Sequence, residues 1–125
     1  MSRKILIADD SPAIRRSVRS WIESKTDWEV CGEAADGRSA INLVQKLKPD
    51  AVVLDVAMPV MTGLLAADEI IATVPTTQIV LLTNFPSDLL NQHAFRIGIK
   101  AVLAKDGEAT LDRLVSTLEA LPKSA

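Results

Sequence analysis

Ile5-Leu6-Ile7-Ala8, followed by Asp9-Asp10 and then Ser11-Pro12, changes character twice within eight residues. The four apolar residues show no polar alternation, which is how a strand buried on both faces reads. The two aspartates close that run. Ser11-Pro12 then offers an N-cap followed by proline at the first helical position. Beyond it, Ile14, Val18, Trp21 and Ile22 recur at helical spacing. A strand therefore passes into an amphipathic helix through an acidic corner.

The same alternation continues outward from this segment. Glu29-Val30-Cys31-Gly32, Ala51-Val52-Val53-Leu54, Ile79-Val80-Leu81-Leu82 and Ala101-Val102-Leu103-Ala104 read as further strands. Helical stripes lie between and after them. Ile41, Val44 and Leu47 form one; Leu64, Ala67, Ile71 and Val74 another. Leu90, Ala94 and Ile97 form a weaker stripe, and Leu111, Leu114, Val115 and Leu118 the cleanest. Asp36-Gly37 and Thr62-Gly63 precede two of these helices, and Gly98 stops a third. Strands alternating with helices predict an α/β fold, a parallel sheet covered on both faces with right-handed crossovers. No residue signature recurs at a fixed period, which excludes a solenoid.

Composition narrows the function. The 125 residues suit one domain, and 48% apolar with 24% charged residues is the balance of a globular chain. A net charge of −2 leaves no basic footprint for nucleic acid. Trp21, Trp28, Phe85 and Phe95 are too few aromatics for base-stacking platforms. Cys31 is the single cysteine, so no internal disulfide forms and a cytoplasmic setting is expected; at mid-strand it reads as a small core residue. The short apolar run after Arg3-Lys4 cannot serve as a signal-peptide core. The uncharged stretch 70–87 is interrupted by Pro75 and Pro86, so no membrane contact is expected. His93, the single histidine, reads as a surface helix residue.

In open α/β sheets, ligands bind outside the carboxyl ends of the strands, near the point where strand order reverses. Asp9 and Asp10 follow the first strand, Asp55 the third, Thr83 the fourth and Lys105 the fifth. A strand order of 2-1-3-4-5 would set the three aspartates side by side. Carboxylates so placed raise each other's pKa unless a cation intervenes, and oxygen-only ligands suit Mg²⁺. Lys105 adds a point charge and Thr83 a hydroxyl donor, both suited to an incoming anion. The set reads as a phosphoryl acceptor site built around an aspartate nucleophile. Taken singly, each member is ordinary: a turn, a strand end, a backbone-bonded hydroxyl, a solvated lysine.

The runs Ile5-Leu6-Ile7-Ala8-Asp9-Asp10-Ser11, Val53-Leu54-Asp55-Val56-Ala57-Met58-Pro59 with Gly63, Leu81-Leu82-Thr83 and Leu103-Ala104-Lys105 together resemble the receiver domain of bacterial two-component response regulators. The resemblance places that domain at residues 1–121, with 122–125 as a tail or the start of a linker. It implies a flavodoxin-like five-stranded sheet of order 2-1-3-4-5. It also implies phosphorylation of Asp55 by the phosphohistidine of a sensor histidine kinase or phosphotransfer protein. By position, Asp10, Asp55 and the Ala57 carbonyl would ligate Mg²⁺ directly and Asp9 through water, while Thr83 and Lys105 would contact the phosphoryl group. Such a domain catalyses only its own phosphoryl transfer and dephosphorylation, and hands the signal to an output partner that the sequence does not name.

The resemblance further allows a homodimer through the face of the fourth helix, fifth strand and fifth helix. Lys105-Asp106 after Leu103 is closer to receivers that precede helix-turn-helix output domains. Receivers usually carry Tyr or Phe three residues before the lysine, where this chain has Val102. A buried valine has no ring to move, so activation is expected at Thr83 and loop residues 84–87. Two other functions fit less well. A receiver-like binding module that no longer takes phosphate would not need the complete acidic set with Thr83 and Lys105. An aspartate-nucleophile phosphatase usually has a second aspartate two residues after the first, and Ala57 stands there.

Overall fold

The computed structural model describes residues 3–121. Five strands, β1 (Lys4–Ala8), β2 (Glu29–Ala34), β3 (Ala51–Asp55), β4 (Gln78–Thr83) and β5 (Ala101–Ala104), alternate with five helices. The helices are α1 (Pro12–Lys25), α2 (Gly37–Leu47), α3 (Gly63–Thr73), α4 (Asp88–Ile97) and α5 (Glu108–Ala120). The strands form one parallel sheet in the order β2-β1-β3-β4-β5, the predicted flavodoxin-like arrangement. Each strand starts within a residue of its apolar run.

The unbroken apolar runs follow from two separate cores. Leu6, Ala8, Val52, Leu54, Ile79 and Leu81 face α2, α3 and α4, packing with Ile41, Val44, Ala67 and Ile70. Their chain neighbours Ile5, Ile7, Val53, Val80 and Leu82 face α1 and α5, packing with Val18, Ile22, Leu114 and Leu118. Each fully buried Leu or Ile contributes about 1.5–3 kcal/mol. The three central strands, β1, β3 and β4, are dry on both sides and carry polar residues only at their ends, where the chain turns.

Those ends are positioned by capping. The Ser11, Asp36, Thr62 and Ser87 side chains accept backbone N–H bonds from Ile14, Ser39, Leu65 and Leu90. Proline opens α1, and Gly98 at φ 105° ends α4 in the left-handed region that favours glycine. Gly37 and Gly63 do more than punctuate. A Cβ on Gly63 would lie 2.2 Å from the Asp55 carbonyl oxygen, and one on Gly37 would lie 2.3 Å from that of Met61. α3 starts against the end of β3 at Asp55, and α2 against the loop that follows it at Met61.

Two expectations about the edge strands need correction. Val102 and Cys31 read as core residues in the sequence, yet both are half-buried, because β5 and β2 are the sheet's edges. The Cys31 thiol donates to the Ile5 carbonyl at 3.5 Å, and burial raises its pKa. His93 is exposed on α4, as its sequence position predicts. Trp21 is half-buried with Lys25 5.0 Å above its ring, and Trp28 carries Arg3 at 5.2 Å. Among the described residues, no helix is long and apolar enough to cross a membrane.

Candidate functional site

Parallel register brings the strand ends to one edge: Ala8 pairs with Leu54, Asp55 with Leu82 and Thr83 with Ala104. The residues that follow therefore share a corner. Carboxylate oxygens of Asp9, Asp10 and Asp55 lie within 4.8 Å of one another. Asp9 and Asp55 are buried, at 2% and 4% exposure, while Asp10 opens to solvent. The Lys105 ammonium sits between the two buried ones, 2.8 Å from Asp9 Oδ2 and 3.1 Å from Asp55 Oδ1.

Thr83 ends β4, the strand beside β3, and is itself buried. Its hydroxyl oxygen accepts the Phe85 N–H at 3.0 Å, and its carbonyl accepts the Lys105 N–H at 2.7 Å. Ala57 is exposed in the loop after β3, and its N–H donates to Asp55 Oδ1 at 3.3 Å. Four of the six residues picked from sequence thus meet in direct charge proximity: Asp9, Asp10, Asp55 and Lys105. Thr83 and Ala57 flank them through the backbone.

Burial, reinforced by the Asp9 charge, pushes the Asp55 carboxyl above the usual carboxylate value. The Lys105 hydrogen bond and charge and the Ala57 N–H pull the other way without cancelling the rise. Burial also opposes the Lys105 charge, but its bonds to Asp9 and Asp55 outweigh this and hold the ammonium's pKa above its ordinary value. Among the described residues Lys105 alone is in ion-pair contact with these three carboxylates, which leaves them short of positive charge. Clustered hard oxygen donors with an open, exposed member fit a divalent ion such as Mg²⁺ that keeps several waters.

Sequence reasoning missed three features of the corner. Arg15 Nη1 donates to the Asp9 carbonyl at 2.6 Å while its Nε donates to Glu33 Oε1 at 3.0 Å. Glu33 lies near the end of β2, beyond the stretch read as that strand, and nothing local in the sequence links it to Arg15. In the loop after β3, the Met61 N–H bonds the Pro59 carbonyl around Val60, a γ-turn with φ 69°. A β-branched residue there is a strained exception, and its side chain is 84% exposed. Finally, an apolar cleft of about 390 Å³ between α1 and α5, lined by Ile14, Val18, Leu82 and Leu111, reaches Lys105.

Sheet order and acidic corner together define a class, and comparison with known proteins agrees. Residues 5–119 match the response regulator receiver domain family, and the chain belongs to it. It is 39% identical to the transcriptional regulatory protein YxjL of Bacillus subtilis, over 82% of this chain and 47% of that protein. It is 38% identical to protein-glutamate methylesterase/protein-glutamine glutaminase 4 of Myxococcus xanthus, over 94% of this chain and 36% of that one. Among solved structures, a LuxR-family two-component response regulator from Aurantimonas sp. SI85-9A1 aligns with a TM-score of 0.88 at 28% identity, covering 96% of this chain and 84% of the other. The chain spans about half or less of the curated relatives it matches.

Proposed function

We propose that this chain is a phosphorylation-controlled switch in which Asp55 accepts a phosphoryl group from a histidine kinase or phosphotransfer protein. What carries the reading is the Lys105 ammonium held 3.1 Å from Asp55 and 2.8 Å from Asp9 within a three-carboxylate corner. An Asp55 oxygen attacks phosphorus, an O–P bond forms, and the N–P bond of the donor phosphohistidine breaks with its electron pair leaving on the imidazole. Asp10, Asp55 and the Ala57 carbonyl would hold Mg²⁺ directly and Asp9 through water. The bound ion would supply charge neutralisation for the incoming phosphoryl oxygens.

Phosphorylation replaces the carboxylate that Lys105 contacts, so the ammonium is free to follow the phosphoryl oxygens while keeping Asp9. We expect the Thr83 side chain to rotate toward the same group, which carries its oxygen away from the Phe85 N–H it now accepts. The loop after β4 is released by that exchange. In this reading Val102 plays no aromatic role, and the chain catalyses only its own phosphoryl transfer and loss. We place the domain boundary after Leu121, which packs against the α1–α5 side; residues 122–125, read as tail or linker, lie outside the described residues. The likeness to a transcriptional regulatory protein and to a LuxR-family response regulator supports an output in transcription, and a kinase partner would fit a cytoplasmic setting.

The test is intact mass after incubation with acetyl phosphate. We expect one phosphoryl addition that requires Mg²⁺ and is abolished by excess EDTA. Addition at an undiminished rate in EDTA would overturn the metal-assisted reading, and no addition under any condition would overturn the switch.

A further inference from the structure

Asp9 has every polar group engaged. Its N–H donates to the Ala34 carbonyl at 3.0 Å, its Oδ1 accepts the Ser11 N–H at 2.9 Å, and its Oδ2 accepts from Lys105. Its carbonyl is taken by the guanidinium of Arg15, the shortest of these contacts at 2.6 Å. That guanidinium is oriented by Glu33, whose other oxygen accepts Arg19 Nε at 2.8 Å. The Arg15 and Glu33 side chains are 18% and 29% exposed, so solvent screens the pair only in part.

A permanent positive charge beside a cation site works against cation binding, so the arrangement calls for a geometric reason. The corner between β1 and α1 carries two of three mutually repelling carboxylates, and repulsion pushes that corner outward. We propose that Arg15, clamped by Glu33, is a positioning residue that fixes the Asp9-Asp10 corner for a divalent cation. The inference rests on the metal-assisted phosphoryl reading above. Planarity suits the guanidinium to such a role, because its Nη1 and Nε reach a backbone carbonyl and a carboxylate at once, which a lysine ammonium cannot reproduce. Glu33 matches its charge, limiting the penalty on the incoming ion.

Charge and position predict opposite signs, which makes the test sharp. Mn²⁺ binding to the purified chain, followed by electron paramagnetic resonance well below the melting temperature, reads the metal alone. Removing a positive charge in Arg15→Met would tighten Mn²⁺ binding if only electrostatics mattered. Loss of positioning should instead weaken it by about tenfold, the lower range for residues that orient metal ligands. Arg15→Lys keeps the charge and should also weaken binding, by less. Arg19→Met removes a like charge from the same Glu33 without touching Asp9, and should bind Mn²⁺ at least as tightly as wild type. Unchanged or tighter binding by both Arg15 variants overturns the proposal. If Arg15→Met does not fold, Arg15→Lys decides by the same criterion. A wild-type chain that binds no Mn²⁺ would overturn the metal reading itself, and this inference with it.

Discussion

Asp55→Asn should make the metal-free protein more stable, although it removes an ion pair. Burying a carboxylate costs several kcal/mol after relaxation. Repulsion from Asp9, no more than 4.8 Å away, adds about 3.5 kcal/mol at an effective dielectric of 20. Lys105 at 3.1 Å returns about 5 kcal/mol on the same scale. The remainder, on the order of 2 kcal/mol, opposes the charged form, in the direction of the raised Asp55 pKa. In the variant Lys105 keeps Asp9, so no buried cation is stranded. For 125 residues, ~2 kcal/mol is a rise in Tm of about 8 °C.

The sign with pH follows from linkage. A carboxyl whose folded pKa lies above its unfolded value of 3.8 destabilises the fold fully only above the folded pKa. The penalty fades as pH falls through that value toward 3.8. The assay is thermal unfolding of wild type and Asp55→Asn in EDTA between about pH 7.5 and pH 4. The variant should melt higher at the upper end and the gap should close toward the lower. A variant that melts lower near neutral pH, or a gap constant with pH, would show that the Asp55 charge does not oppose folding.

Magnesium should stabilise the wild type by mass action: at millimolar affinity, ~10 mM adds about 1.4 kcal/mol, or roughly 5 °C in Tm. NaCl of matched ionic strength should add less, and coincident melting curves would exclude a metal site. Gly63→Ala forces a methyl to within 2.2 Å of the Asp55 carbonyl oxygen, so the variant should lose about 1–3 kcal/mol and part of its Mg²⁺ increment; an unchanged Tm would contradict the close packing. Beryllofluoride with Mg²⁺ should shift the Phe85 amide and residues 84–87 most, because the Thr83 hydroxyl leaves the Phe85 N–H. Amide changes concentrated at Val102 and its strand neighbours would contradict that route.

The strands are legible because a parallel sheet dry on both faces permits only apolar runs, and the site is legible because each polar residue directly follows a run. Where burial is one-sided the signal weakens. The apolar pattern ends β2 two residues short, since Glu33 owes its place to Arg15 on α1 rather than to any local pattern. The α4 stripe is faint because Ala94 alone on that helix is fully covered. Val102 reads as buried because its run looks like the central ones; only strand order shows that β5 is an edge. The Thr83–Phe85 bond and the Val60 γ-turn arise from backbone geometry and leave no mark in residue type.

Asp55, and no other carboxylate of the corner, is the proposed acceptor of the phosphoryl group. Borohydride reduces an aspartyl phosphate to homoserine, so peptide mapping of the acetyl-phosphate-treated protein after reduction reads the acceptor directly. Homoserine is expected at position 55 alone, dependent on Mg²⁺ and absent from Asp55→Asn. Homoserine at position 9 or 10 in the wild type, or reduction at none of the three, would contradict it.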